Sequence, residues 1–378
     1  MERLQWATPI LLVAVKVLAL ALAHPSSSSM TQQRVTSVAR QQKTTMPLAL
    51  TPRECEVSGK RGSCLPYFYC GPYGGSPMGM CTLGLGQCCV FDKTCGETSS
   101  SHVTYLTSQG DDATDTGTCS ITVTKADENI CQLRLYMKEL ELSEPNADGV
   151  CVKQYLHVQG ISGGAPRICG TNSGQHLYVD VRADTGPYKV GVVNMDNNPL
   201  SSWDIEVQQV PCDSDELAPT GCNQYFTELS GTVKSFNYGS KPSSKRHRNG
   251  NPGSRHLQET YTICVRQEPG YCSLKWTPAP GDEYAFTLTG NLIANPNLHI
   301  SPFNVADDEL CPFTDHLLIA GGRIPKEDNP STVFCGSRFP DSVTTNSFQI
   351  MLVANGQEVQ DNDIDNRGFH LQYQQVQC

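Results

Sequence analysis

Eighteen cysteines in three groups of six constrain this chain more than any other feature. Cys55, Cys64, Cys70, Cys81, Cys88 and Cys89 crowd into 35 residues, and Cys95, Cys119, Cys131, Cys151, Cys169 and Cys212 follow at once. Cys222, Cys264, Cys272, Cys311, Cys335 and Cys378 complete the series. Cys88 and Cys89 are adjacent, and a bridge between neighbours strains the S–S torsion, so each must reach a different distant partner. Six cysteines allow about 15 connectivities, and at this point all remain open. The first segment is too short to bury a core that outweighs backbone entropy, so three disulfides at about 2–4 kcal/mol each are expected to hold it.

The first residues indicate where such bridges form. Residues 10 to 23 are apolar apart from Lys16 and end in Ala21-Leu22-Ala23 before "HPSSSS". This reads as a signal peptide over 1–23, cut after Ala23. A membrane anchor would need about 18 apolar residues, and a mid-span lysine costs roughly 3 kcal/mol. The expectation is a secreted, extracellular protein with no membrane span, whose thiols form disulfides instead of zinc sites. The net charge is −10 and the signal segment carries Glu2, Arg3 and Lys16, leaving −11 on the remainder. An acidic chain has no electrostatic reason to bind nucleic acid. Residues 24–53, rich in Ser, Thr and Gln, read as a flexible tail, its basic residues Arg34, Arg40, Lys43 and Arg53 solvated and not protease targets.

The two larger cysteine groups look like copies of one plan. In both, the fifth cysteine precedes glycine (Cys169-Gly170, Cys335-Gly336) and the sixth lies 43 positions further on. Such a match argues for an internal repeat whose loops vary around a shared frame. Between cysteines the period is 2. Ile121 and Val123 share a face, as do Leu133, Leu135 and Met137, and Trp203, Ile205 and Val207. In the second copy Cys272, Leu274 and Trp276 align, as do Phe348, Ile350 and Leu352, and Phe369, Leu371 and Tyr373. Leu140 and Leu142 fall on the opposite parity to Met137, which predicts a bulge or break near Lys138 and Glu139. One face in and one out, with Gly, Pro and Asn turns, predicts antiparallel sheets packed as sandwiches.

These residues together resemble a known family. The "C…CG" bridge pattern and the terminal "GFHLQY" strand resemble the CUB domain twice over, and "RGSC", Cys70, Cys81 and "GQCCV" resemble the clip-like knot that precedes two such domains in secreted arthropod proteins. "ICQLRL", "ICGTNSGQHLYVDV", "CNQYFTELSGTVKSFNYG" and "YTICVRQEPGYCSLKW" belong to the same likeness. The resemblance implies an all-β fold, a small disulfide-rich knot at 54–90 followed by CUB-like sandwiches of jelly-roll type at 91–213 and 221–378. It implies the pairs Cys55–Cys88, Cys64–Cys81 and Cys70–Cys89 in the knot. For the sandwiches it implies Cys95–Cys119, Cys151–Cys169, Cys222–Cys264 and Cys311–Cys335, and leaves Cys131 with Cys212 and Cys272 with Cys378.

The chain has no "AAHC" or "GDSGG", so no catalytic residue of a trypsin-like protease is assigned. Gly160-Ile161-Ser162-Gly163-Gly164 fits G-x-S-x-G, but the "GAPRICG" that follows reads as a turn closed by a bridge and not as the helix a nucleophile elbow needs. The resemblance to CUB domains implies that calcium, where bound, is held by a Glu and two Asp near the fourth cysteine and in a later loop. Here Gln154 replaces one in the first copy, while in the second Asp315 comes one residue late and Asn355-Gly356 stand where an Asp is expected. No metal and no cofactor are therefore assigned. Asp361, Asp363 and Asp365 alternate as an EF-hand loop begins, yet Asn366 replaces its glycine, so a solvated hairpin is the reading.

Two surface stretches remain. "KPSSKRHRNGNPGSRH" places Lys245, Arg246, His247 and Arg248 together in an acidic chain. Its composition says surface loop, and its charge offers binding to sulfated glycans or acidic partners. Tyr67, Phe68, Tyr69 and Tyr73 are crowded for so small a module, which leaves open a mini-core or an exposed anchor for a partner. The sequence predicts a non-catalytic adaptor that binds an extracellular protein or a sulfated glycan. Two alternatives stand beside it: a regulatory subunit of a clip-type serine protease cascade, and a structural component of matrix or cuticle.

Overall fold

Short alternating segments bounded by turn residues give strands throughout. The computed structural model describes residues 54–81, 86–108, 116–196, 201–239, 255–282, 285–288, 311, 314–336, 338–356 and 366–378. No α-helix occurs among them, and no helix is long and apolar enough to cross a membrane. The signal segment, the tail, the Lys245–Arg248 stretch and Asp361, Asp363 and Asp365 lie outside the described residues.

The N-terminal unit is one antiparallel sheet of β1 (Glu54–Val57), β2 (Lys60–Leu65), β3 (Ser76–Met80) and β4 (Gln87–Val90), in the order β1-β2-β4-β3. Successive residues of a strand face opposite sides, so adjacent Cys88 and Cys89 on β4 part company. Cys88 joins Cys55 on β1, Cys89 joins Cys70 in the β2–β3 turn, and Cys64 joins Cys81. Leu65, Cys70, Cys89 and Phe91 form the small buried cluster within.

The first sandwich is built from β5 (Asp92–Lys93), β6 (Thr98–Ser99), β7 (Val103–Thr107), β8 (Gly117–Val123), β9 (Ile130–Glu141), β10 (Gln154–Gln159), β11 (His176–Asp180), β12 (Tyr188–Asn194) and β13 (Ser202–Pro211). One sheet runs β10-β12-β8-β6 and the other β11-β9-β13-β7-β5. Ile121, Val123, Leu133, Leu135, Met137, Trp203, Ile205 and Val207 are all buried between them. The parity slip falls at Lys138: Glu139 opposes Asp204 and Met137 opposes Ile205, leaving Lys138 as the extra residue of a bulge. Leu140 thereby returns to the core. Bridges Cys95–Cys119, Cys131–Cys212 and Cys151–Cys169 staple this unit.

The second sandwich comprises β14 (Cys222–Phe226), β15 (Ser230–Lys234), β16 (Tyr261–Val265), β17 (Tyr271–Pro278), β18 (Phe286–Thr287), β19 (His316–Gly322), β20 (Ser331–Phe334), β21 (Val343–Thr345), β22 (Gln349–Val353) and β23 (Gly368–Gln377). Its sheets are β14-β16-β22-β19-β20 and β15-β23-β17-β21, with β18 beside β23. Leu274, Trp276, Phe369, Leu371 and Tyr373 fill the interior as their alternation requires, whereas Cys272 lies exposed at a register shift, bridged to Cys378. Cys222–Cys264 and Cys311–Cys335 complete the set, and all 18 cysteines are bridged. The antiparallel rule has three exceptions. The pairs β5–β7, β6–β8 and β14–β16 run parallel, each at a sheet edge that alternation alone does not orient.

One buried apolar cluster includes residues of both sandwiches. Where they meet, Asn237 adopts a left-handed φ of 59° and acts as a polar rivet. It accepts the Thr171 N–H at 2.9 Å, gives its own N–H to Asn172 Oδ1 at 2.7 Å, and donates its amide to Glu144 and to the Arg255 carbonyl. Gly170 has φ of +74°, and a Cβ there would overlap the Asn237 carboxamide, so the glycine is required by both backbone and space. Beside it the Tyr225 N–H donates to His176 Nε2 at 2.9 Å.

Candidate partner-binding surfaces

The aromatic crowd divides. Tyr73 is half-buried against the Leu65, Cys70, Cys89 and Phe91 cluster and stacks on Tyr69 at 6.1 Å. Tyr67, Phe68 and Tyr69 face outward, with Phe68 88% exposed. The turn that carries them is fixed by backbone bonds Tyr69 N–H to Pro66 O at 2.9 Å, Tyr73 N–H to Tyr69 O at 3.2 Å and Gly75 N–H to Cys70 O at 2.9 Å. Cys70–Cys89 pins its middle, the Gln87 amide holds the Tyr67 carbonyl at 2.7 Å, and Lys93 Nζ reaches the Gly74 carbonyl at 2.9 Å. The exposed rings therefore stand on a rigid base.

Met78 and Met80, both exposed on β3, were missed by the sequence reading. Met80 opposes Gln87 across the ladder, the residue whose amide holds Tyr67, so Met80 borders the aromatic turn, with Met78 two residues earlier on the same strand. A signal was present: residues 62 to 91 contain no Asp, Glu, Lys, Arg or His. Isolated apolar residues on a surface are ordinary, but five together on an uncharged stretch form the kind of patch that marks an interaction site.

The calcium positions are filled by internal hydrogen bonds. Gln154 is fully buried; its Oε1 accepts the Ser143 N–H at 2.9 Å and the Ser201 hydroxyl at 2.5 Å, while its Nε2 donates to Asn194 Oδ1 at 2.8 Å and Asp196 O at 3.1 Å. In the second copy Asp315 is buried and takes the Gln258 amide at 2.6 Å and the Asn355 N–H at 2.7 Å, with His256 Nε2 at 3.3 Å. Burial lowers the His256 pKa, against the pull of Asp315. Oxygens already occupied by N–H donors do not fit calcium, which needs six to eight oxygen ligands. Cys55, Cys64 and Cys81 have sulfur atoms close together, but all three are disulfide-bonded.

Ser162 sits in an exposed bend after β10, and its N–H and hydroxyl both bond Asp184 Oδ2, at 3.0 and 3.3 Å. Among the described residues no helix follows it and no histidine bonds it.

Two stapled β-sandwiches and a stapled sheet that carries an exposed aromatic turn define a disulfide-rich all-β protein. Within it, residues 219–376 match the animal CUB domain. Two solved structures are similar to the chain: the CUB1-EGF-CUB2 domains of rat MASP-1, at 14% identity and a TM-score of 0.23 over 73% of this chain and 99% of that one, and the CUB1-EGF-CUB2 domain of human MASP-1/3, at 15% identity and a TM-score of 0.23 over 73% of this chain and all of that one. No curated protein matches the chain.

Proposed function

We propose that this protein is a secreted, non-catalytic adaptor that docks a protein partner through the aromatic turn of its N-terminal unit. The carrying observation is the cluster Tyr67, Phe68, Tyr69, Met78 and Met80, exposed on an uncharged and disulfide-pinned base. Aromatic and methionine side chains are the enriched anchors of protein interfaces, and a rigid base reduces the ordering entropy lost on binding. Nine disulfides support an oxidising, extracellular setting. The CUB match supports recognition as the second sandwich's role.

The test places a photo-crosslinking residue at Phe68 and, as control, at exposed Val152 in the first sandwich. The reading expects a discrete partner crosslinked from position 68 and not from 152, insensitive to chelator and to 0.5 M salt. Burying one phenylalanine contributes roughly 1.5–3 kcal/mol, so Phe68→Ser should weaken capture about 10- to 100-fold while leaving the thermal midpoint unchanged. Equal crosslinking from both positions, or full affinity in Phe68→Ser, would refute it.

A further inference from the structure

The outward face of the sheet β11-β9-β13-β7-β5 is roofed from both sides. Over β7 and β13 lies the N-terminal unit: Val90 packs with Val103 and Tyr105, the Tyr105 hydroxyl bonds Glu206 Oε2 at 2.9 Å and the Arg61 N–H at 2.6 Å, and Arg61 Nη1 reaches Gln208 Oε1 at 3.1 Å. Over β11 lies β14, with Phe226 5.0 Å from His176 and Tyr225 6.2 Å from Tyr178 between ring centroids. The register aligns Tyr105, Glu206, Tyr136 and His176 in one row and Gln208, Arg134 and Tyr178 in the next. Among the described residues β9 stays open between the two covers at Arg134 and Tyr136, its half-buried outward residues. Neighbouring strands are ~4.8 Å apart, so β11 and β13 flank a slot about 10 Å across, the width of one extended segment.

The chemistry of that floor is specific. The Arg134 guanidinium lies 5.4 Å from the Tyr136 ring and 6.0 Å from the Tyr178 ring, held between two aromatic faces. Its hydrogen bond to Gln208 Oε1 is long, 3.5 Å, and among the described residues no carboxylate forms an ion pair with it. Two carboxylates nearby are engaged elsewhere: Glu216 by the Gln208 amide at 2.6 Å, and Glu206 by the Tyr105 hydroxyl at 2.9 Å and by Arg61. Lys138, further along β9, turns to the N-terminal unit, bonding the Gly59 carbonyl at 2.7 Å and sitting 4.8 Å over the Tyr105 ring. Arg134 is thus, among the described residues, a cation without a carboxylate partner on the floor of this slot, in a chain of net charge −10.

We propose that this slot receives the carboxylate of an aspartate or glutamate carried on an extended segment of a partner protein, with Arg134 as its anchor. A guanidinium presents up to five N–H donors in a planar fork matched to a carboxylate, and stacking on tyrosine leaves that fork directed and only partly hydrated. Charge complementarity names the occupant, and burial beside Tyr136 and Tyr178 supplies the setting in which such a pair contributes to affinity. This surface is separate from the aromatic turn, so the adaptor reading and this one can fail independently.

The probe is fluorescein-labelled hexaglutamate, with hexaglutamine as control, followed by polarisation at 50 mM salt on the intact protein. Hexaglutamate is expected to bind and hexaglutamine not. Arg134→Gln should weaken binding at least tenfold, Arg134→Lys should fall between it and wild type, and replacing Lys245, Arg246 and Arg248 by Gln should leave it within twofold. In protein labelled with 15N-arginine, the Nε–Hε signal absent from Arg134→Lys should shift saturably with hexaglutamate, which keeps the test valid should Arg134→Gln fold poorly. Undiminished binding to Arg134→Gln, a static Arg134 signal, or binding lost only in the Lys245/Arg246/Arg248 variant would overturn the proposal.

Discussion

Acidification should loosen the junction between the sandwiches, and His176 sets the size of the effect. The ring is nine-tenths buried, and that burial, reinforced by the nearby Arg134 charge, lowers its pKa from 6.5 to about 3. Its Nε2 must be unprotonated to accept the Tyr225 N–H. With the folded pKa below the open-state value, the open junction binds more protons, so the stabilisation is complete above pH 6.5 and is lost as pH falls from 6.5 towards 3. For an open-state pKa of 6.5, moving from pH 7.5 to pH 5 costs about 2 kcal/mol, or roughly 30-fold in the opening equilibrium. Amide hydrogen exchange at Tyr225 reads this directly once intrinsic rates are corrected. His176→Gln keeps an acceptor near the same place and removes the titration, so its protection should vary less than threefold over the same range. Equal pH dependence in wild type and His176→Gln would refute the reasoning.

Further outcomes follow from the same geometry. Gly170→Ala should lower stability by about 2 kcal/mol or more, since alanine at positive φ costs about 1 kcal/mol and its methyl displaces Asn237, and urea unfolding measures it. Tyr105→Phe removes the hydroxyl shared by Arg61 and buried Glu206, and should cost about 1–3 kcal/mol, seen as faster proteolytic release of the N-terminal unit. Calcium at 5 mM, or chelator, should move the thermal midpoint by less than 1 °C, roughly 0.2 kcal/mol, because amide and backbone donors occupy the Gln154 and Asp315 oxygens.

Much of the frame is legible in sequence because it obeys period 2. The buried rows of β9, β13 and β23 stand where alternation puts them, and the single slip of parity predicts a bulge or break near Lys138 and Glu139, which the ladder resolves to Lys138. Composition also identified the aromatic stretch, although only the fold separates Tyr73, spent on the small core, from the three rings that face outward. Other features depend on which distant segments meet. The slot over Arg134 needs positions 61, 90, 178 and 225 around one strand, and the Asn237 rivet needs residues 144, 171, 172 and 255. The short parallel edges are likewise set by where connecting segments return, a matter on which local pattern is silent.

Bridges stay within each of three cysteine groups and hold rigid the surfaces between them, and peptide mapping under non-reducing conditions tests this most directly. The prediction is nine linkages and no free thiol, with Cys88 joined to Cys55 and Cys89 to Cys70. A linkage from Cys55, Cys64, Cys70, Cys81, Cys88 or Cys89 to any cysteine beyond residue 90, or an alkylatable thiol in the native protein, would contradict it.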